Sequence, residues 1–394
     1  MLAIKVGNFG MRHLALIASA AGLIGTANAQ PGGSTVQPFE VETVVEGLVN
    51  PWSMAFLPNG DMLVTERPGR LRIVRDGELL DQEISGVPQV RVGGQGGLQD
   101  VVLHPNFASN RLVYISYSKG NADGSLGTTA LIRARLENNR LNNVEEIFEA
   151  VAWTPTPGHY GARIAFDNDG YLFMSVGDRM APTNGDLEAH PAQDPSNHQG
   201  TIIRLNDDGS VPSDNPFVGR EGFLPEIWSY GHRNPQGLAF DRVTGELWET
   251  EHGPQGGDEL NHIVRGRNYG WPIIGYGANY GVGTEIHPSR ARAGMEQPAA
   301  FWVPSIATSG LAIYNGAAFE NWQGNAFVGG MSGQHQRLSR VSLTGTTVSN
   351  REALLAGQYR IRDVREGPDG LIYIATDNIF GNSSSIIRLV PSDE

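Results

Sequence analysis

Cysteine is absent from the 394 residues, which removes disulfides, thiolate metal sites, a cysteine nucleophile and the C-x-x-C-H attachment of a c-type haem. Lysine occurs only as Lys5 and Lys119, the second in a polar stretch, so a Schiff-base or pyridoxal-phosphate enzyme is disfavoured. Positive charge is scarce: 29 Lys and Arg against 42 Asp and Glu give a net charge of -13. That balance offers no electrostatic footprint for nucleic acid or an anionic bilayer. No G-x-x-x-x-G-K-[ST], no G-x-G-x-x-G after a strand and no G-x-S-x-G occurs, which argues against nucleotide-binding and α/β-hydrolase readings. Charged residues make up 18% where about 25% is usual, while 51 glycines punctuate the chain. These features describe a large, turn-rich, β-dominated globular protein that relies on its core for stability.

The first 29 residues contain no acid, carry Lys5 and Arg12, run apolar from Leu14 to Ile24 and end in Ala27-Asn28-Ala29. This pattern predicts a secretory signal peptide over residues 1–29, cleaved before Gln30, and hence a periplasmic protein. The competing reading is a buried N-terminal helix. The apolar run is shorter than the roughly 20 residues a spanning helix needs, and no later stretch approaches that length, so no integral membrane segment is expected. Residues 30–37 read as a flexible Gly/Pro/Ser/Thr linker, and residues 38–394 as one domain.

Within that domain a turn followed by an apolar strand recurs. Met62–Thr65 follows Pro58-Asn59-Gly60, Leu172–Val176 follows Asn168-Asp169-Gly170, Leu247–Thr250 follows Thr244-Gly245, and Leu371–Ala375 follows Pro368-Asp369-Gly370. Shorter apolar segments such as Ser53–Phe56 and Ile164–Phe166 precede the turns, so the unit is a β-hairpin. Irregular spacing of Gly60, Gly170, Gly245 and Gly370 suits a degenerate radial repeat with loop insertions. The predicted fold is all-β: a six-bladed β-propeller with four-stranded antiparallel blades, seven or eight blades being the alternative count and a β-sandwich with appended domains the alternative architecture.

Three segments are dense in reactive residue types: Gly158–Arg163, the run from Gly231 to Trp271, and Tyr359–Asp363. A propeller would bring them together, because its inner strands and top loops converge on one channel. In an extended segment Arg360 and Arg362 share a face and suit a multiply charged planar anion; pairing with Asp363 and Glu366 is the plainer alternative. The stretch Glu251–Glu259 reads as a loop offering the oxygen ligands that calcium prefers, or as a turn with solvated acids. Asp167–Gly170 reads better as a hairpin turn than as a calcium loop. His159, in a glycine-flanked segment ahead of a strand that ends in Gly177-Asp178, is either a base with an orienting carboxylate or a structural histidine.

Pro51–Gly60, Val64–Arg70, Gly94–Leu98, His159–Arg163, Gly231–Gly237, Glu251–Pro254 and Asn268–Pro272 together resemble the PQQ-dependent soluble aldose sugar dehydrogenases. The likeness runs from about Pro51 to Leu389 with the motifs in order. It implies a periplasmic six-bladed propeller that oxidises an aldose at C1 to the lactone and passes electrons to a diffusible acceptor. The cofactors it implies are PQQ, a flat tricarboxylate quinone, and Ca²⁺. By motif, His159 corresponds to the general base and Asp178 to its carboxylate partner. Arg233 and Asn234 approach the quinone oxygens, Gln95 reaches the cofactor, and Arg360 and Arg362 meet its carboxylates. The carbonyls of Gly253 and Pro254 would hold the PQQ calcium, with Glu259 and the carbonyl of Tyr269 holding a second, structural one. One position departs: Ser332 stands where the family usually has a lysine near the quinone, and Arg337 is the nearest cation in sequence. Two other readings compete, a calcium-dependent six-bladed lactonase with a central metal on side-chain carboxylates and amides, and a non-enzymatic carbohydrate-binding propeller.

Overall fold

A computed structural model describes residues 34–378 and 383–392; the signal-peptide prediction for residues 1–29 lies outside them. Of the segment read as a linker, Ser34 and Thr35 hydrogen-bond to the Glu352 carboxylate at 2.9 and 2.5 Å. The described residues form six four-stranded antiparallel sheets. The first strands of the sheets are Pro51–Phe56, Leu98–Leu103, Ile164–Phe166, Pro235–Phe240, Thr308–Ile313 and Ile361–Glu366. Each packs against the first strands of both neighbouring sheets, so the six close into a ring. The structure is thus the six-bladed propeller that the hairpin repeat predicts.

The burial pattern follows from this geometry. A middle strand is covered on both faces by adjacent blades, so Met62–Glu66, Leu172–Val176, Thr201–Leu205 and Ile372–Thr376 are buried at every position, Glu66 and Arg204 included. Outer strands such as Arg140–Glu149 are largely exposed, with only Leu141 and Phe148 buried. Six apolar clusters fill the interfaces between successive blades; Phe39, Phe319 and Trp322 stack between the fifth and sixth, for example. Gly60, Gly170, Gly245 and Gly370 all turn between the first and second strands of a blade, with φ from 75° to 91°. Only glycine adopts that conformation without cost. The ring is sealed by Phe39–Leu48, which pairs with Ser384–Pro391 as the outermost strand of the last blade.

Five of the six inner strands carry a register shift close to where they start. The extra residue is Trp52, Gln236 or Arg362 in three blades, lies at Gln99–Asp100 in the second and at Ser309–Gly310 in the fifth. A bulge re-aims the side chain of the inserted residue, which turns these positions towards the central channel. Below them the axis is filled by charge. Arg163 Nη1 donates to Asp363 (2.8 Å) and Asp100 (3.4 Å), Arg365 donates to Asp100 (2.7 Å) and Asp363 (2.9 Å), and Ser53 donates to Asp100 (2.5 Å). Two cations and two anions balance, as they must where an unpaired buried charge costs several kcal/mol. A second, more apolar cavity of about 410 Å³ lies at the opposite end of the inner strands.

Candidate active site

The bulged residues Trp52, Gln99, Gln236 and Arg362, from four blades, line one cavity of about 260 Å³ with Arg67, Gln95, His252 and Arg360. The three sequence segments singled out for their chemistry therefore do converge, from blades far apart in the chain. Gln95 lies exposed at the lip, where its side-chain oxygen accepts the His159 backbone N–H at 2.8 Å.

His159 has φ of 50° and is 7% exposed, its Nδ1 2.6 Å from Asp178 Oδ1. The Asp178 carboxylate is fully engaged, accepting Met180 N–H on Oδ1 and Trp271 Nε1–H on Oδ2, both at 2.8 Å. Burial holds the His159 imidazole below its ordinary pKa against the opposing pull of Asp178, and the Arg233 charge lowers it further. Burial pushes Asp178 the other way, but the His159 ring and Arg233 outweigh it and keep the carboxyl below its usual range. The pair at neutral pH is thus a neutral imidazole with one nitrogen fixed by a carboxylate, the arrangement of a base with its orienting acid.

Arg233 lies beneath this pair with its guanidinium carbon 5.2 Å from the Trp271 ring centre and Nη1 donating to the carbonyls of His252 (3.0 Å) and Gly253 (2.8 Å). Its Nε, Asn234 Nδ2, His252 Nε2 and Gln99 Oε1 are buried without a hydrogen-bond partner. Burial, then the charges of Arg233 and Arg362, push the His252 imidazole well below its ordinary pKa, so it is neutral. Across the cavity Arg360 and Arg362 share one acid, Asp377, at Oδ2. Burial pulls Arg362 down to about 10, which leaves it charged at neutral pH. The pairing alternative in the sequence reading fails in its particulars, since Asp363 is engaged by Arg163 and Arg365 and Glu366 accepts the backbone N–H of Asn315.

The stretch Glu251–Glu259 is less of a loop than its glycines suggest. Glu251 ends the strand Leu247–Glu251, and Asp258 begins Asp258–Ile263, so only residues 252–257 connect them. A small neighbouring cavity is lined by Gly253, Pro254, Glu251, Glu259 and Tyr269. Glu249, Glu251 and Glu259 all accept from the single Asn261 amide nitrogen, at 3.0, 3.3 and 3.2 Å. Burial, and next the Glu251 charge, raises Glu249 and Glu259 well above the usual carboxylate range. Glu249 Oε1, Asn261 Oδ1 and His232 Nδ1 have no hydrogen-bond partner, although the last lies 3.5 Å from Glu251 Oε1. A set of oxygens with excess negative charge fits a hard divalent cation.

Sequence reasoning missed Trp271 as the partner of Asp178, Asp377 as the partner of both arginines, and the bulged Trp52, Gln99 and Gln236. Ser332 is not among the cavity-lining residues, and Arg337 turns its Nε to the His335 carbonyl at 2.9 Å without lining the cavity.

Residues 48–388 match the family described as Glucose / Sorbosone dehydrogenase. The aldose sugar dehydrogenase YliI of Escherichia coli strain K12 is 42% identical over 357 residues, covering 89% of this chain and 92% of the relative. Among solved structures, the soluble aldose sugar dehydrogenase of Escherichia coli in its apo-form superposes with a TM-score of 0.83 at 40% identity, covering 90% of this chain and 100% of that one. The PQQ-bound aldose sugar dehydrogenase of Streptomyces coelicolor gives 0.72 at 30% identity, covering 91% and 100%. With the match running through all six blades, the chain belongs to the glucose/sorbosone dehydrogenase family.

Proposed function

We propose that this protein is a PQQ-dependent aldose sugar dehydrogenase that converts the C1 hydroxyl of an aldose to the lactone carbonyl, with His159 as general base. The observation that carries the reading is the buried His159–Asp178 pair beside a cavity edged by arginines. Guanidinium groups of Arg360 and Arg362 suit carboxylates, while the unpartnered Arg233 Nε and Asn234 Nδ2 suit carbonyl oxygens, so the donor set fits a polycarboxylate quinone. When bound, PQQ supplies the two-electron acceptor for the C1 hydride.

The protein's own residues do the rest. Neutral His159 takes the C1 hydroxyl proton on Nε2, and Asp178 stabilises the resulting imidazolium through Nδ1. Trp271 and the Met180 N–H hold that carboxylate in register. Arg233 places positive charge where negative charge accumulates as hydride leaves the sugar. Gln95 fixes the His159 backbone and with it the ring. The carbonyls of Gly253 and Pro254 would take the cofactor's calcium, and Glu259 with the Tyr269 carbonyl a second ion. The lactonase alternative puts a metal at the centre of the ring on carboxylates and amides; the carboxylates there, Asp100 and Asp363, are bound by Arg163 and Arg365, which weighs against it.

Dye-linked assays of metal-free protein over an aldose panel test the reading. Activity is expected only with PQQ and Ca²⁺ together. Chelation is expected to lower the melting temperature, since a site held at a hundredfold excess over Kd contributes about 2.7 kcal/mol. Full activity after EDTA treatment rules out the calcium role, activity on lactones without PQQ restores the lactonase, and sugar binding without dye reduction restores the binding module. The signal pattern places the mature N-terminus near Gln30 and the enzyme in the periplasm. N-terminal sequencing of exported protein checks this, and retention of Leu14 to Ile24 defeats it.

A further inference from the structure

The cavity has a third arginine, Arg67, to which the sequence reading gave no role. Arg67 directly follows the second strand of the first blade, Met62–Glu66, and lines the same cavity as Arg360 and Arg362. Those two share Asp377, but Arg67 forms no ion pair among the described residues. Its side-chain hydrogen bond runs from Nη1 to the Gly94 carbonyl at 3.2 Å, next to Gln95. The adjacent acid is not available to it: Glu66 is fully buried and occupied by Arg70 (2.6 Å), Arg72 (3.5 Å) and the Val49 N–H (2.7 Å). Three guanidinium groups thus face one carboxylate, leaving two positive charges in surplus on this wall.

The placement of Arg67 is built into the backbone. Its N–H donates to the Asn50 carbonyl at 3.0 Å and its carbonyl accepts the Leu98 N–H at 3.0 Å, tying it to the first and second blades at once. Gly97 crosses so close, with φ of 149°, that a Cβ there would overlap the Arg67 carbonyl. A long side chain held at its root loses less freedom on meeting a ligand.

We propose that Arg67 is a carboxylate-binding residue of this site, completing with Arg360 and Arg362 a three-guanidinium receptor for a planar polycarboxylate. The assignment rests on the cofactor reading above and names where the chain gains cationic contact, since neither Ser332 nor Arg337 lines the cavity.

Wild-type protein, Arg67→Met and Arg67→Lys are titrated, by absorbance and calorimetry, with PQQ plus Ca²⁺ and separately with benzene-1,3,5-tricarboxylate, which has the charge but no quinone. Apo-protein melting temperatures are compared first. Arg67→Met is expected to raise Kd for both ligands about 10- to 100-fold, the loss of one charge-assisted contact. Arg67→Lys keeps the charge without the planar fork and should fall between. Unchanged affinities in Arg67→Met, with wild type binding PQQ, overturn the assignment and leave the cofactor reading standing. Tricarboxylate binding that depends on Arg67, in a protein that takes up no PQQ, upholds the assignment and sinks the cofactor reading. Binding of neither ligand to wild type defeats both.

Discussion

His159→Gln should lower kcat by about 10² to 10⁴-fold while PQQ remains bound, because glutamine keeps a polar side chain but accepts no proton. Asp178→Asn should act in the same direction by withdrawing the charge that stabilises the protonated ring. The double variant should lose less than the product of the two factors, as expected for groups working as a unit. Trp271→Phe removes the 2.8 Å donor to Asp178 and leaves the aromatic packing, so a smaller loss of kcat is expected. The pH profile separates this scheme from a structural role. A base must be neutral to work, and burial depresses the His159 pKa, so kcat/KM should climb through a midpoint below the ordinary imidazole value of about 6.5 and be flat by neutrality. Near wild-type turnover by cofactor-saturated His159→Gln, or an ascending limb above pH 7 in wild type, moves the base elsewhere.

Arg360→Ala and Arg362→Ala should each weaken PQQ binding by about 1.5 to 3 kcal/mol, with the sugar KM of cofactor-saturated enzyme little changed. A neutral aldose has no carboxylate for a guanidinium to grip. Asp377 complicates the experiment in a useful way. It is buried and paired with both arginines and also accepts from Asn50 at 3.0 Å, so either single variant leaves it a cation. The double variant removes both of its ion-pair partners and leaves only the more distant Arg67, and breaking a buried pair costs up to about 3 to 5 kcal/mol of stability. Single variants should therefore melt close to wild type and the double variant well below it. Reconstitution titrations showing unchanged PQQ affinity in both single variants would refute the carboxylate role.

The fold was legible where blades open on a short glycine turn. The hairpins at Gly60, Gly170, Gly245 and Gly370 belong to the first, third, fourth and sixth blades. The second and fifth escaped notice for a physical reason. Their first and second strands are joined by longer segments holding Phe107–Asn110 and the 3-10 turn Glu320–Trp322, so no short glycine hairpin marks the blade; the first of these segments has no glycine, and Gly316 and Gly324 are scattered through the second. The candidate site divides similarly. His159, Asp178, Arg360 and Arg362 stood out as reactive types in compact motifs. Trp52, Gln99, Gln236 and Arg362 reach the cavity through bulges, and a bulge depends on pairing with another strand, which no local pattern announces. Asp363 shows the limit of neighbourhood reasoning. Beside Arg362 in sequence, it pairs instead with Arg365 and with Arg163, the latter two hundred positions away, on the axis.

The seal between Phe39–Leu48 and Ser384–Pro391 also fixes an order of events. Synthesis delivers the first of these strands ahead of every other strand of the ring and the second after all of them. Until then the sixth sheet lacks the strand that joins its outermost member to the other two, and the apolar surfaces of Val45 and Leu48 wait for Ile386 to complete their cluster. Five blades can pair locally as they emerge, but the circle, and with it the convergence of Arg67 and Arg362 on one pocket, waits for the tail. A chain still short of Ser384–Pro391 therefore has an open ring, and the site comes into being only when that strand pairs with Phe39–Leu48.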